Sequence, residues 1–247
     1  MLRHRDSGET DRVLRVLSDR YGMFDVVARG LRRAASRRAG HLEPLTRVDL
    51  LLAHGRTYDV VTQAQARAVY RSLRESLELL ALAGQAVDLV CALLPERQES
   101  AGVYRRLVWL LEQLDAASGG GRVALLFFVV GVLREVGFGI EAGRCVRCGR
   151  DLAADQDLVL SAAAGGAVCR VCAHDAGAVR MLDADATAVL RAVARGDWPA
   201  ARRTAAEADL RTPLAAALDH AQYHSDQVLY ARGFAAAVER LGERVVS

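Results

Sequence analysis

Four of the five cysteines fall in two short clusters, Cys145–Cys148 and Cys169–Cys172, in the pattern C-x2-C-x20-C-x2-C. No other feature constrains the fold as much. Each C-x2-C lets two thiolates converge on one ion at about 2.3 Å, and two such pairs complete a tetrahedron. The spacing lies at the edge of the zinc-ribbon range. Gly149 follows the first pair, where a tight turn needs a residue without Cβ. Disulfides would require an oxidising compartment, and a redox C-x-x-C normally occurs singly. An iron–sulfur cluster is chemically open to four thiolates but is less usual at this spacing. The expectation is one structural Zn²⁺ held by Cys145, Cys148, Cys169 and Cys172. Such a site is closed, with no open position for water or substrate. It would fold a loop too small to hold itself together.

The other metal-prone residues read more plainly. Cys91 lies on an apolar helical stretch and is expected as a small core residue. His174 beside the last cysteine is a weak substitute ligand. His220 and His224 stand at i, i+4 but lack the glutamate of H-E-x-x-H, so a polar helix face is expected there. "GFGIEAG" (137–143) is not a dinucleotide fingerprint, and no G-x-S-x-G occurs. Arg144, Arg147, Arg150 and Arg170 decorate the knuckles. They read as a solvated charged surface, with phosphate contact as the alternative.

All 33 basic side chains other than histidine are arginine. Without lysine there is no Walker-type phosphate lysine, Schiff base or adenylated lysine. That argues against P-loop ATPase, aldolase, pyridoxal-phosphate and ligase chemistry. Net charge is only +3, but it is unevenly placed. Residues 1–78 carry 15 arginines against 10 acids. "VVARGLRRAASRRAGHL" (26–42) holds Arg29, Arg32, Arg33, Arg37 and Arg38 with no acid between Asp25 and Glu43. Cations so crowded repel one another until something anionic approaches. Guanidinium forks suit phosphate oxygens, so sequence-independent nucleic-acid binding is expected of these five residues. An acidic protein partner is the alternative, which would make the chain a non-enzymatic zinc-ribbon adaptor.

Residues 1–66 look β-rich, with short apolar segments at 11–19, 23–30, 46–54 and 57–64 joined by tight turns. A small sheet or barrel follows from that pattern. Helical spacing begins near residue 67. Helices are expected at 67–94, 101–117, 123–136, 183–195, 197–208, 213–223 and 225–241, with Asp183 or Asp185 as a cap. Residues 141–178, rich in Cys and Gly, interrupt them as an insertion. The apolar run 123–133 would rise only about 16 Å as a helix, roughly half a bilayer core, and is expected as a buried helix. "MLRHRDSGET" has no apolar signal region, so a soluble cytoplasmic protein is expected.

"GETDRVLRVLSDRYGMFDVVARGLRR", "SRRAGHLEPLTRVDLLL" and "GRTYDVVTQAQ" together resemble the N-terminal domain of the RecO family, recombination mediators of bacterial DNA repair. Gly8-Glu9-x-Asp11, Gly22, Gly30, the basic stretch and Leu42-Glu43-Pro44-Leu45 fall in the family's order. "VLREVGFGIEAGRCVRCG" and the cysteine quartet resemble its zinc-binding insertion. The resemblance implies an α+β multidomain chain: an OB-fold β-barrel at 1–66, then an all-α domain at 67–247 with a zinc-ribbon-like insertion at 141–178. It implies a non-enzymatic DNA-binding protein, cytoplasmic and nucleoid-associated. Such a protein binds single- and double-stranded DNA, anneals strands, and works with RecR and single-strand-binding protein to load RecA. No membrane and no small-molecule substrate are implied. Arg29, Arg32, Arg33, Arg37 and Arg38 map onto the family's basic segment. Family members have a fuller first strand, whereas only "MLRHRDS" precedes the Gly8-Glu9-x-Asp11 segment here. A misassigned start or a barrel incomplete on that edge is the expectation.

Overall fold

The computed structural model describes residues 1–33, 39–116, 119–152 and 157–231. Five strands come first: β1 (Arg3–Ser7), β2 (Asp11–Ser18), β3 (Gly22–Ala28), β4 (Thr46–Ala53) and β5 (Asp59–Val69). Helices α1 (Arg71–Glu75), α2 (Leu77–Leu93), α3 (Ala101–Asp115) and α4 (Gly121–Glu135) follow. Then come β6 (Leu158–Ser161), β7 (Gly166–Val168), α5 (Arg170–Ala173) and β8 (Val179–Leu182). The last described helices are α6 (Ala184–Ala194), α7 (Trp198–Thr204) and α8 (Arg211–Tyr223). Two compact units result. The first joins Met1–Ser76 to Leu94–Ala116, and the second joins Leu77–Leu93 to the described residues from 119 onward.

In the first unit the strands form one sheet in the order β1-β2-β3-β5-β4, with β3 and β5 parallel and the other pairs antiparallel. The alternation expected of half-buried strands is clear in β4, where Thr46, Val48, Leu50 and Leu52 turn inward and Arg47, Asp49 and Leu51 outward. Leu14, Val16, Phe24, Val26, Leu42 and Val61 fill the core. Register shifts between Arg47 and Val48 and between Leu51 and Leu52 mark irregularities that curl the β4–β5 pair. The two ends of the sheet approach each other at residue 1: Met1 N donates to Thr46 O at 2.8 Å, and Leu45 N donates to Met1 O at 3.0 Å. The short leading segment therefore forms a strand, and its first residue reaches the β4 side. This is a strand-rich, OB-like sheet. At Gly22 (φ 65°) a Cβ would sit 1.8 Å from Gln98 O, so only glycine admits the segment beside β3.

The expected helix 67–94 is instead two. β5 continues to Val69, and the chain is extended at Ser76 between α1 and α2. The helix ends are otherwise near their expected positions, and the Asp183 carboxylate accepts from Ala186 N at 2.8 Å as the cap of α6. The expected helix 225–241 does not start at its predicted position, because residues 225–230 are irregular; its remainder beyond 231 lies outside the described residues.

The second unit is helical around α4, which is apolar on all sides and buries Leu125, Leu126, Phe128, Val129 and Leu133. A helix apolar all round belongs at the centre of a bundle, and α2, α6, α7 and α8 pack on it. Cys91 is buried on α2 as expected. Among the described residues, no helix is long and apolar enough to cross a membrane.

Candidate metal centre and nucleic-acid interface

The residues between α4 and α6 build a small sheet of order β7-β6-β8. Two turns present the cysteines to one point. In the first, Gly149 N donates to Cys145 O at 2.8 Å and Cys145 N to Arg150 O at 2.8 Å. Gly149 has φ 73°, the left-handed conformation its position required. In the second, Cys169 stands at the head of α5, and Ala173 N closes the turn on its carbonyl at 2.9 Å. Val146 N to Ala167 O at 2.9 Å and Ala167 N to Glu141 O at 2.7 Å tie the first turn to β7. A minor core of Cys145, Val159, Val168, Cys169 and Ala176 lies beneath. Arg191 of α6 holds the base of the loop, donating through Nε to Ala142 O at 2.9 Å and through Nη2 to Leu152 O at 3.2 Å.

The four Sγ atoms all lie within 4.8 Å of one another, and those of Cys148 and Cys169 are 3.9 Å apart. None of the four is in a disulfide. Thiolates about 2.3 Å from a shared ion sit roughly 3.8 Å apart at the corners of a tetrahedron, so donor set and spacing both fit a metal ion. Their protonation points the same way. Burial pushes the Cys145 thiol up, but the amides of Cys169, Cys148 and Arg147 outweigh it and bring it to about 6. The hydrogen bond with the Cys169 side chain, aided by burial, pushes Cys172 up to about 12. Four crowded sulfurs cannot share negative charge evenly without a cation among them. His174 takes no part; its ring is exposed and lies 3.1 Å from the Asp175 carboxylate.

The His220–His224 pair differs from the polar face expected of it. His220 is only 4 % exposed, and its Nε2 donates to Phe138 O at 3.0 Å. His224 stacks on the Phe138 ring with centroids 4.6 Å apart. Phe138 precedes the cysteine loop by only a few residues, and nothing in the i, i+4 spacing reveals that it would sit over α8.

The arginine segment begins where β3 ends. Arg29, Arg32 and Arg33 are exposed, while Leu31 between them is buried in the sheet's core. Arg37 and Arg38 lie outside the described residues. The turn is fastened by Asp11, whose Oδ1 accepts from Gly30 N at 2.8 Å. That amide, the Thr10 hydroxyl and the nearby Arg29 and Arg33 hold the Asp11 carboxyl below its ordinary range. Arg32 N donates to Thr10 O at 3.0 Å, and its guanidinium lies 3.5 Å from Asp6. The segment has no acid of its own, but the neighbouring strands supply Asp6 and Asp11. Arg12, 3.1 Å from Asp6, extends the same charged network. On a neighbouring part of the sheet, Arg5 reaches the Tyr58 hydroxyl at 3.0 Å. Among its described residues the segment is thus arginine-rich and locally braced.

Residues 1–70 match the family described as Recombination protein O N terminal, and residues 74–225 match Recombination protein O C terminal. A DNA repair protein RecO of Bifidobacterium animalis subsp. lactis is 35% identical over 202 residues, covering 81% of this chain and 82% of the relative. Another of Pelotomaculum thermopropionicum is 33% identical over 202 residues, covering 82% and 77%. A third, of Desulforudis audaxviator, is 37% identical over 167 residues, covering 66% and 64%. The OB-like sheet, the helical unit and the cysteine cluster agree with these matches along the chain, and the chain belongs to the RecO family of DNA repair proteins.

Proposed function

We propose that this chain is a non-enzymatic recombination mediator that binds single- and double-stranded DNA, anneals strands and helps load RecA onto single strands coated by single-strand-binding protein. The reading places the protein in the cytoplasm, at the nucleoid. Residues 1–66 supply the DNA contact through Arg29, Arg32, Arg33, Arg37 and Arg38. The observation that carries it is the arrangement at the end of β3, where Leu31 is buried and the arginines on either side of it face solvent. Such an arrangement meets phosphates without reading bases. Neutralising the phosphates of two strands lowers their repulsion, a physical route to annealing.

Residues 67–247 are the proposed dock for RecR and for the acidic, apolar tail of single-strand-binding protein. In the second unit, a cavity of about 430 Å³ is lined by Leu79, Leu82, Val123 and Leu210, with Arg202 and the Arg122–Glu78 ion pair (3.3 Å) also in its wall, so an incoming carboxylate would compete with Glu78 for Arg122. Apolar walls with guanidinium groups suit an apolar side chain followed by a carboxylate.

The ion of the cysteine insertion is read as one Zn²⁺ held by Cys145, Cys148, Cys169 and Cys172. It would supply cross-linking rather than chemistry, because four protein thiolates leave no open position. With four thiolates the centre carries a charge of −2. The flanking Arg144, Arg147, Arg150 and Arg170 then offset that charge locally, which favours their solvated reading over phosphate contact.

The test is fluorescence anisotropy of labelled single-stranded DNA across a salt series, comparing the chain with a variant carrying Arg32, Arg33, Arg37 and Arg38 all as Ala. If all four meet phosphates, the log–log slope becomes shallower by about 3 units, at roughly 0.7 per phosphate. Unchanged slope and affinity would move the DNA surface elsewhere and favour an acidic protein partner for the segment.

A further inference from the structure

The first unit contains a cavity of about 420 Å³ that DNA binding through the arginine segment does not use. It lies between the inner face of the sheet and α3, walled by Val16, Phe24, Leu50, Tyr70, Leu107 and Leu111. The volume falls within the range of pockets that enclose small organic molecules. One polar group in its wall is unaccounted for. Tyr70 is only 4 % exposed, and its hydroxyl has no hydrogen-bond partner among the described residues. A buried hydroxyl left unsatisfied forfeits the hydration it had in the unfolded chain, so it calls for a partner. Burial, reinforced by Glu112, raises this phenol above its ordinary value, so it remains a donor at neutral pH. Of the charged lining residues, Asp19, Arg47 and Asp49 are exposed. The Met1 amine, also in the wall, donates to Thr46 O at 2.8 Å and is brought down to about 5 by burial, so it is neutral at pH 7 and no desolvated counter-charge faces an ion held inside.

We propose that this cavity is a binding site for an uncharged amphipathic molecule, with an aromatic or branched hydrocarbon body and one oxygen that accepts a hydrogen bond from Tyr70. The hydrocarbon body replaces water against Val16, Phe24 and the α3 leucines. The oxygen satisfies the phenol. Tyr21, two-thirds exposed and packed edge-on to Phe24 at 6.5 Å, offers a second ring close to the site.

The probe is Prodan, a neutral naphthalene ketone whose emission shifts to the blue in apolar surroundings. Titration of the full chain should give saturable one-site binding with a blue shift. Leu107→Trp, which fills the cavity, should abolish it. Tyr70→Phe keeps the shape and removes the donor, and should weaken binding about five- to tenfold, as loss of one hydrogen bond predicts. Circular dichroism checks both variants. If Leu107→Trp does not fold, the Tyr70→Phe titration decides alone. Absence of saturable binding overturns the proposal, as does binding that neither variant changes, since the probe then sits elsewhere. Loss with Leu107→Trp but no change with Tyr70→Phe overturns the role given to the phenol.

Discussion

The carboxylate of Asp11, at the start of β2, accepts the amide of Gly30, just past the end of β3, at 2.8 Å. These residues are 19 apart in sequence, and the bond fixes the turn from which the arginine segment departs. It also sets two effects against each other. Removing a negative charge next to arginines should strengthen DNA binding if only electrostatics matter. Releasing the turn should weaken it if the arginines must be held in place.

Positioning is expected to win. Asp11→Ala should lower affinity for single-stranded DNA by about fivefold, roughly 1 kcal/mol, as only part of the bond's worth reaches DNA binding, with little change in salt slope because the proposed phosphate contacts remain. Anisotropy at two salt concentrations measures both. A rise in affinity would show that Asp11 acts only as a competing charge.

Changing Cys145 and Cys148 together to Ser should remove the metal and destabilise the second unit. Metal content of the purified variant, by mass spectrometry, gives the answer. A variant that keeps its full complement would sink the ligand assignment. A chelator should leave DNA binding intact if the OB-like unit suffices. Loss of binding with the fold preserved would place the DNA surface on the cysteine insertion.

Arg191 belongs to a helix yet bonds two carbonyls at the base of the insertion, those of Ala142 and Leu152. Arg191→Met keeps much of the stem and removes the donors. It should cost about 2 kcal/mol of stability, within the range for hydrogen bonds to a charged group. Because ligand support slows metal loss, release of metal to a chelator should also quicken. Equal release rates in variant and parent would limit Arg191 to packing.

His220 gives the second unit a pH dependence. Burial, with the neighbouring His224 adding, lowers it from 6.5 to about 4. As pH falls below 6.5 the unfolded chain takes up the proton first, so the folded state loses stability. The contribution is fully present above pH 6.5 and is lost progressively down to about pH 4. On the order of 2 kcal/mol of it is lost between pH 6.5 and 5. Thermal melts at pH 7.5 and 5 should therefore differ less for His220→Gln than for the parent. Identical pH dependence in the two would contradict the burial of a neutral imidazole.

Several parts of this protein were legible in the chain itself because they depend on residues close in sequence. The knuckles needed only the C-x2-C spacing and Gly149. The central helix needed an apolar run with no polar face. The strands β2 to β5 needed their alternation and tight turns, whereas β6, β7 and β8 of the insertion carried no such signal. Family motifs then joined these parts into an OB-like sheet and a helical unit carrying a cysteine insertion.

What tertiary structure alone decided are relations between distant residues. The break at Ser76 and the extension of β5 to Val69 override a helical periodicity that continues across both. Periodicity records which face is buried, whereas the pairing of β5 with β4 decides how far the strand runs. His220 reads as a surface residue until Phe138, 82 residues earlier, supplies a carbonyl to its ring. The arginine segment reads as uncompensated until β1 and β2 bring Asp6 and Asp11 beside it. The cavity beneath Tyr70 has no sequence signature, because an unfilled volume belongs to no single residue. Local pattern fixes which atoms are available, and the fold alone fixes which of them meet, because contact energies depend on distance in space and not along the chain.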